Sequence, residues 1–142
     1  MTQTQKQTWM ILAVIAALAL GGFLGFKFYL KSFIEKKFLV LTMKEQNKKC
    51  PVTYSNGIRL DSVTVKSGSK FEYHGTLINV EKEKLNLDSF IDITHQRIFG
   101  DLKDPSLQPM KDNNITLAYL YRDKNGKLLS EFIVTPDMYG KK

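Results

Sequence analysis

Residues Gln7 to Phe26 carry no charged side chain, and from Trp9 to Phe26 (WMILAVIAALALGGFLGF) the run is almost wholly apolar. Wound as an α-helix at about 1.5 Å per residue, that apolar stretch reaches roughly 27 Å, close to the hydrocarbon thickness of a bilayer. The expectation is one transmembrane anchor over residues 9–26 after a short tail, residues 1–8. A cleavable export signal competes with it, since Lys6, an apolar centre and Ala17-Leu18-Ala19 follow that pattern. Apolar character continues past such a cut through Leu20, Phe23, Leu24 and Phe26, where a signal peptide turns polar, and no cysteine follows that would accept a lipid. The uncleaved anchor is the better reading.

Charge flanking the span gives conflicting topology. Only Lys6 precedes it, whereas Lys27, Lys31, Lys36 and Lys37 follow, and the positive-inside rule then puts the large domain in the cytoplasm. An N-terminal anchor ahead of a soluble domain is also an ordinary export arrangement, and long translocated domains obey the rule weakly. Dividing the chain at Cys50 leaves eight Lys against two Glu before the cut, net +6, and a net of +1 after it. A nucleic-acid-binding module concentrates positive charge on the fold itself. Here the fold is nearly neutral with its signs interspersed, so nucleic acid is set aside and anionic lipid is the better attractor for the basic segment.

Residues 27–49 (KFYLKSFIEKKFLVLTMKEQNKK) lack Gly and Pro and read as a basic juxtamembrane helix. It is either an amphipathic stalk on lipid headgroups, touching them through Lys27, Lys31, Lys36 and Lys37, or a first helix packed on a sheet. The Phe38-Leu39-Val40-Leu41 run is too apolar for an exposed stalk and favours packing there. Cys50-Pro51 ends the helix, because proline disfavours helical geometry in the preceding residue. The folded domain is therefore expected over residues 50–142.

Within it, residues 58–66 (IRLDSVTVK) and 71–80 (FEYHGTLINV) alternate in polarity around Ser67-Gly68-Ser69-Lys70 and read as a hairpin. Residues 115–122 (ITLAYLYR) and 128–135 (LLSEFIVT) flank Asp123-Lys124-Asn125-Gly126-Lys127, where Asn-Gly supplies the positive φ of a tight turn. Between the hairpins, Asn86 caps a helix with Asp88 in its first turn and with Leu87, Phe90, Ile91, Thr94, Ile98 and Leu102 at helical spacing. Asp104 to Pro109 is a proline-marked loop. The order predicts an α+β domain with a four-stranded, mainly antiparallel sheet and helices packed on one face.

The chemical inventory is short. Cys50 as a nucleophile needs His74 or His95 beside it, and a single cysteine forms no internal disulfide. Glu72 and His74 are two apart on a strand and share a face, by pairing or as an ordinary solvated surface. Asp92 and His95 are three apart on a helix, within reach of each other, but two histidines without further clustered ligands make a poor metal site. Phosphate loops, a nucleophile elbow and a zinc-protease helix are absent. Asn114-Ile115-Thr116 matches a glycosylation acceptor by chance composition. Phe71, Tyr73, Tyr119, Tyr121 and Phe132 are core residues by default; only a surplus on the uncovered sheet face would mark a binding surface.

The stretches Gly57 to Leu77 (GIRLDSVTVKSGSKFEYHGTL), Asp104 to Met110 and Ile115 to Leu129 (ITLAYLYRDKNGKLL) together resemble a group of small, functionally uncharacterised exported or membrane-anchored bacterial proteins. The resemblance implies that residues 50–142 face the periplasm or cell exterior from the inner (cytoplasmic) membrane, and it implies no catalytic residue. Proteins of that group often carry a second cysteine near the positions of Gly100 and Asp101, so any bridge they form from Cys50 is missing in this chain. The expected function is a single-pass, non-enzymatic accessory or protein-interaction domain of the cell envelope. Its partners would be membrane lipid, through the N-terminal helix, and an unidentified protein, with no cofactor. The alternatives are a small-ligand or lipid-binding module, which needs an apolar pocket between helix and sheet, and an enzyme, which needs Cys50, Glu72, His74, Asp92 and His95 to converge.

Overall fold

A computed structural model describes residues 3–66 and 69–139. The chain divides into two compact units, Met1–Lys37 and Phe38–Lys142. Helix α1, Gln3–Asn47, supplies the described part of the first unit. There the apolar side chains from Leu12 to Ile34 stand exposed. Among the described residues this is the one helix long and apolar enough to cross a membrane, as a signal anchor or a transmembrane span.

The second unit is α+β. After the last turns of α1 come β1 (Val52–Thr53), β2 (Ile58–Lys66), β3 (Lys70–Leu77), α2 (Leu87–Asp101), α3 (Gln108–Asp112), β4 (Thr116–Arg122) and β5 (Leu128–Val134). The strands form one sheet in the order β1-β2-β3-β4-β5. Both expected hairpins are present, β2 with β3 and β4 with β5. Of the first hairpin's turn, Ser67 and Gly68 lie outside the described residues.

Two expectations are corrected, the strand count and the proline-marked loop. The sheet has five strands rather than four, because the two-residue β1 pairs with Arg59 and Leu60, and a strand that short shows no alternation to read. The sheet is mainly antiparallel, as expected, and the two hairpins meet through a parallel pairing of β3 with β4, as the long helical crossover between them permits. The proline-marked loop is helical: a 3₁₀ turn at Pro105–Leu107 leads into α3, since proline fits the first turn of a helix, where its missing N–H costs no bond.

Register sets rows of side chains on the helix-facing side of the sheet. Val65, Phe71, Leu117 and Val134 align across β2 to β5, and Val63, Tyr73, Tyr119 and Phe132 form the next row. Ile98 and Leu102 of α2, Met110 of α3 and Leu39 of α1 close over these rows to make the core. Leu39 is 1% exposed, with Phe38 and Met43 packed alongside. The packing unit therefore begins at Phe38, not at Cys50, and the later turns of α1 belong to the domain.

Two side chains finish this architecture. Past the end of β1, the outer edge of β2 would present Val63's N–H and C=O unpaired. Asn47 answers both, accepting from Val63 N at 2.7 Å and donating to Val63 O at 2.8 Å, because a primary amide carries the same donor and acceptor as a peptide. After α3, Asn114 adopts φ 52°, and Ile115 N donates to Met110 O while Asn114 N donates to Lys111 O. This is a Schellman termination with Asn in the left-handed position and the buried pair Ile115 and Met110 as its hydrophobic contact. The glycosylation-like Asn114 thus serves as a helix terminator.

Candidate functional site

The third row of the sheet is where the cover fails. It runs Leu60, Gly75, Tyr121, Ser130, and two of the four are too small to fill the layer. A cleft of about 460 Å³ opens there, within the 300–1,000 Å³ range typical of ligand sites. Its floor is Ile58, Leu60, Gly75 and the rings of Tyr73, Tyr119 and Tyr121; Arg97, Ile98 and Asp101 of α2 form one wall, and Asp104, Ser106 and Leu107 continue it. Tyr54 and Asn56, from the loop between β1 and β2, and Gln46 of α1 complete the rim.

Gly75 is fixed by this geometry. A Cβ there would stand 3.2 Å from two ring carbons of Tyr121, so the glycine lets that ring lie flat across β3. Tyr73 and Tyr119 stack at 5.1 Å with planes 9° apart, and Phe90 meets Tyr121 edge-on at 5.7 Å. Burial pushes the Tyr73 hydroxyl up to about 12, with Tyr54 adding to it. Burial also raises Tyr119, helped by Tyr73, Tyr121, Tyr139 and the Asp101 carboxylate. Tyr121 is raised by burial, with Arg97 opposing and Asp101 reinforcing. At neutral pH these are uncharged phenols, able to stack and to donate hydrogen bonds.

The candidate catalytic residues do not converge. Glu72 and His74 share the uncovered face, where Thr64 Oγ1 lies 2.8 Å from His74 Nε2 and 3.3 Å from Glu72 Oε2, and the two partners themselves are 3.8 Å apart. Glu72 is also paired with Lys70, which bridges on to Glu131. Burial works against ionised Glu72, but Lys70 outweighs it and the carboxyl sits below its ordinary range. His95 lies on the opposite face, its ring 4.6 Å from that of Phe132, and among the described residues no ion pair joins it to Asp92. Cys50 caps neither group: its thiol donates to Gln46 O at 3.5 Å. Burial and then the charge of Asp61 push that thiol up, the reverse of what a nucleophile requires. Among the described residues no group of three or more His, Cys, Asp or Glu is placed to hold a metal.

Phe71, Tyr73, Tyr119, Tyr121 and Phe132 all face the helices, where the sequence put core rings. Three of the tyrosines nonetheless form a cleft floor, because cover and vacancy share that face. Lys27, expected at a lipid surface, carries its ammonium 5.0 Å over the Phe23 ring, and Lys36 and Lys37 are exposed.

Residues 34–130 match the family described as a domain of unknown function, DUF8479. A comparison with curated protein sequences finds no match. Among solved structures, the chain is similar to a Pseudomonas aeruginosa protein inferred to be secreted, with TM-score 0.65 and 17% identity over 78% of this chain and 97% of that one. It is also similar to EpsS, the pilotin of the Vibrio vulnificus type 2 secretion system, with TM-score 0.63 and 10% identity over 79% and 97% of the two chains. The Vibrio cholerae type II secretion pilotin AspS gives TM-score 0.59 and 14% identity over 76% and 94%. At these identities the likeness is one of fold.

Proposed function

The chain belongs to the DUF8479 family, and we propose that it is a single-pass, membrane-anchored accessory domain of the bacterial cell envelope that binds a segment of a partner protein in the tyrosine-floored cleft. The observation that carries this reading is the cleft itself: an open aromatic floor beside a helix on a module whose acid, base and thiol groups are dispersed. The fold shared with a secreted protein and two secretion-system pilotins supports an envelope setting. The apolar helix fits the role of tether at the inner membrane, with the sheet-bearing unit on the periplasmic or outer side. Lys27, Lys31, Lys36 and Lys37 suit contact with anionic headgroups, each worth about 1 kcal/mol near such a surface. The resemblance to small exported proteins points the same way.

Photocrosslinking tests the docking. A benzoylphenylalanine at Asn56, on the rim of the cleft, should give a discrete protein adduct in intact cells, and the same probe at Glu131 on the opposite face should not. No adduct at Asn56, or the same adduct from both positions, would count against a partner in the cleft. The cleft's volume also favours a second reading, a small-ligand module. A low-molecular-mass compound copurifying with the protein and displaced by Gly75→Leu would favour that instead. Orientation is tested separately, by protease digestion of the sheet-bearing unit in spheroplasts.

A further inference from the structure

The hydroxyls of Tyr73, Tyr119 and Tyr121 have no hydrogen-bond partner among the described residues. Tyr139 packs against the same core and is raised by the same burial, yet its hydroxyl donates to Ile115 O at 2.7 Å. The three floor hydroxyls are not sealed inside the core either, where among the described residues the one buried side-chain atom without a partner is Ser130 Oγ. They open onto the cleft that their rings line. On its rim, Asn56 accepts from Ile58 N through Oδ1 at 3.2 Å, which leaves the side-chain NH2 unpartnered. Charge does not select the occupant, because Asp101 and Asp104 share their wall with Arg97 and Lys111 donates to Leu102 O at the end of α2. What the floor offers is uncharged: aromatic surface and hydrogen-bond donors.

We propose that the partner segment accepted by the cleft is proline-rich and lies there as a polyproline II helix, its rings against Tyr73, Tyr119 and Tyr121 and its carbonyls accepting from their hydroxyls. This rests on the docking reading above and adds the composition and conformation of the occupant. An α-helical segment spends its carbonyls in its own ladder and leaves the phenols without acceptors. An added strand needs an open sheet edge, and the outer edge of β2, whose Ile58 and Leu60 line the cleft, is already covered by β1 and by Asn47. A polyproline II segment has no internal hydrogen bonds, so its carbonyls are free to accept, and proline brings no N–H that an aromatic floor would have to satisfy. Aromatic-lined grooves take up such segments, whose stiffness lowers the ordering cost of docking.

The full-length protein in neutral-detergent micelles, isotopically labelled at tyrosine Cζ, the carbon that bears the hydroxyl, tests this. Of its six tyrosines, Tyr54, Tyr73, Tyr119 and Tyr121 line the cleft, leaving Tyr29 and Tyr139 as internal references. The probes are acetyl-hexaproline amide and acetyl-hexaglycine amide, which carries the same carbonyls without the rings or the stiffness. Hexaproline should move the Cζ resonances of the cleft tyrosines and saturate at about tenfold lower concentration than hexaglycine. Tyr73→Phe combined with Tyr119→Phe keeps both rings and removes two donors, so half-saturation by hexaproline, read at Tyr54 and Tyr121, should need about tenfold more peptide. The melting temperature should not fall, since the folded protein uses neither hydroxyl. Tyr139→Phe should do the converse, lowering the melting temperature through the lost bond to Ile115 O and leaving hexaproline binding unchanged. Equal binding of the two peptides, hexaproline binding that the double substitution leaves intact, or a double variant that melts lower overturns the inference and leaves the docking reading standing. If neither peptide moves a cleft resonance, the proline-rich occupant is overturned, and the Asn56 crosslink decides the docking reading independently.

Discussion

Asp123 shows how much of the molecule one carboxylate can organise. It is fully buried, accepting from Asn125 N at 2.9 Å and Lys127 N at 2.8 Å through one oxygen, and from Lys82 N at 3.0 Å through the other. The turn between β4 and β5 is thereby tied to the 3₁₀ turn at Lys82–Lys84, which lies between β3 and α2. Burial alone would raise its pKa, but the three backbone N–H bonds and Lys127 prevail and hold it below the ordinary carboxylate value. A group depressed on folding contributes stability above its unfolded pKa, about 4 for aspartate. That contribution is lost as pH falls through the lower folded value. Thermal unfolding followed from pH 6 down to pH 2 should show this loss, and Asp123→Ala should start several degrees less stable and flatten the acid limb. The phenols act at the other extreme. Tyr73 rises to about 12 through burial, and Tyr119 and Tyr139 are raised for the same reason. Stability that is complete below the unfolded tyrosine value of about 10 is lost as pH climbs through the folded values. Absorbance at 295 nm should therefore show a late tyrosinate phase in the native protein that merges into one transition near pH 10 in urea.

Elements held by local pattern were legible, and those held by long-range partners were not. Asn86 caps α2 as its sequence indicates, its side chain accepting from Ser89 N, and the stripe from Leu87 to Leu102 faces the core because nothing beyond helical spacing is needed. The β4–β5 turn was placed correctly but for a partly different reason. Only Gly126, at φ 81°, takes a positive angle there, so Asn125 is no left-handed residue; a type I turn with a glycine after it replaces the tighter turn, and Asp123 gathers its amides. The cleft was hidden because it needs Gly75 beside Tyr121, a juxtaposition created by the parallel register of β3 and β4 and by no spacing along the chain. The same non-local logic makes Asn47 a sensitive position. Asn47→Ala should cost about 1 to 3 kcal/mol, since it leaves a part-buried N–H and C=O of Val63 without partners. Asn47→Asp should not rescue it, because a second oxygen would then oppose the Val63 carbonyl. Denaturant midpoints and faster exchange of the Val63 amide would measure both.

At the scale of the whole chain, the question is where the independently folding module begins. Composition and the proline at position 51 favour a start near Cys50, whereas packing places Leu39 in the core at 1% exposure with Phe38 and Met43 against it. The family match, which starts at residue 34, agrees better with packing. Two truncations separate these boundaries. A chain of residues 38–142 keeps Leu39 and Asn47 and should leave the membrane fraction, unfold cooperatively and retain its late tyrosinate phase. A chain of residues 51–142 loses Leu39, for which removal of a buried leucine side chain costs about 2 to 5 kcal/mol, and also loses the Asn47 bridge to β2. Set against a typical total of about 5 to 15 kcal/mol for a small domain, that deficit should leave it unfolded or molten, without dispersed amide resonances. Equal folding of both fragments would show that α1 contributes nothing essential to the sheet-bearing unit. Failure of both fragments to fold would mean that the folded unit needs turns of α1 before Phe38.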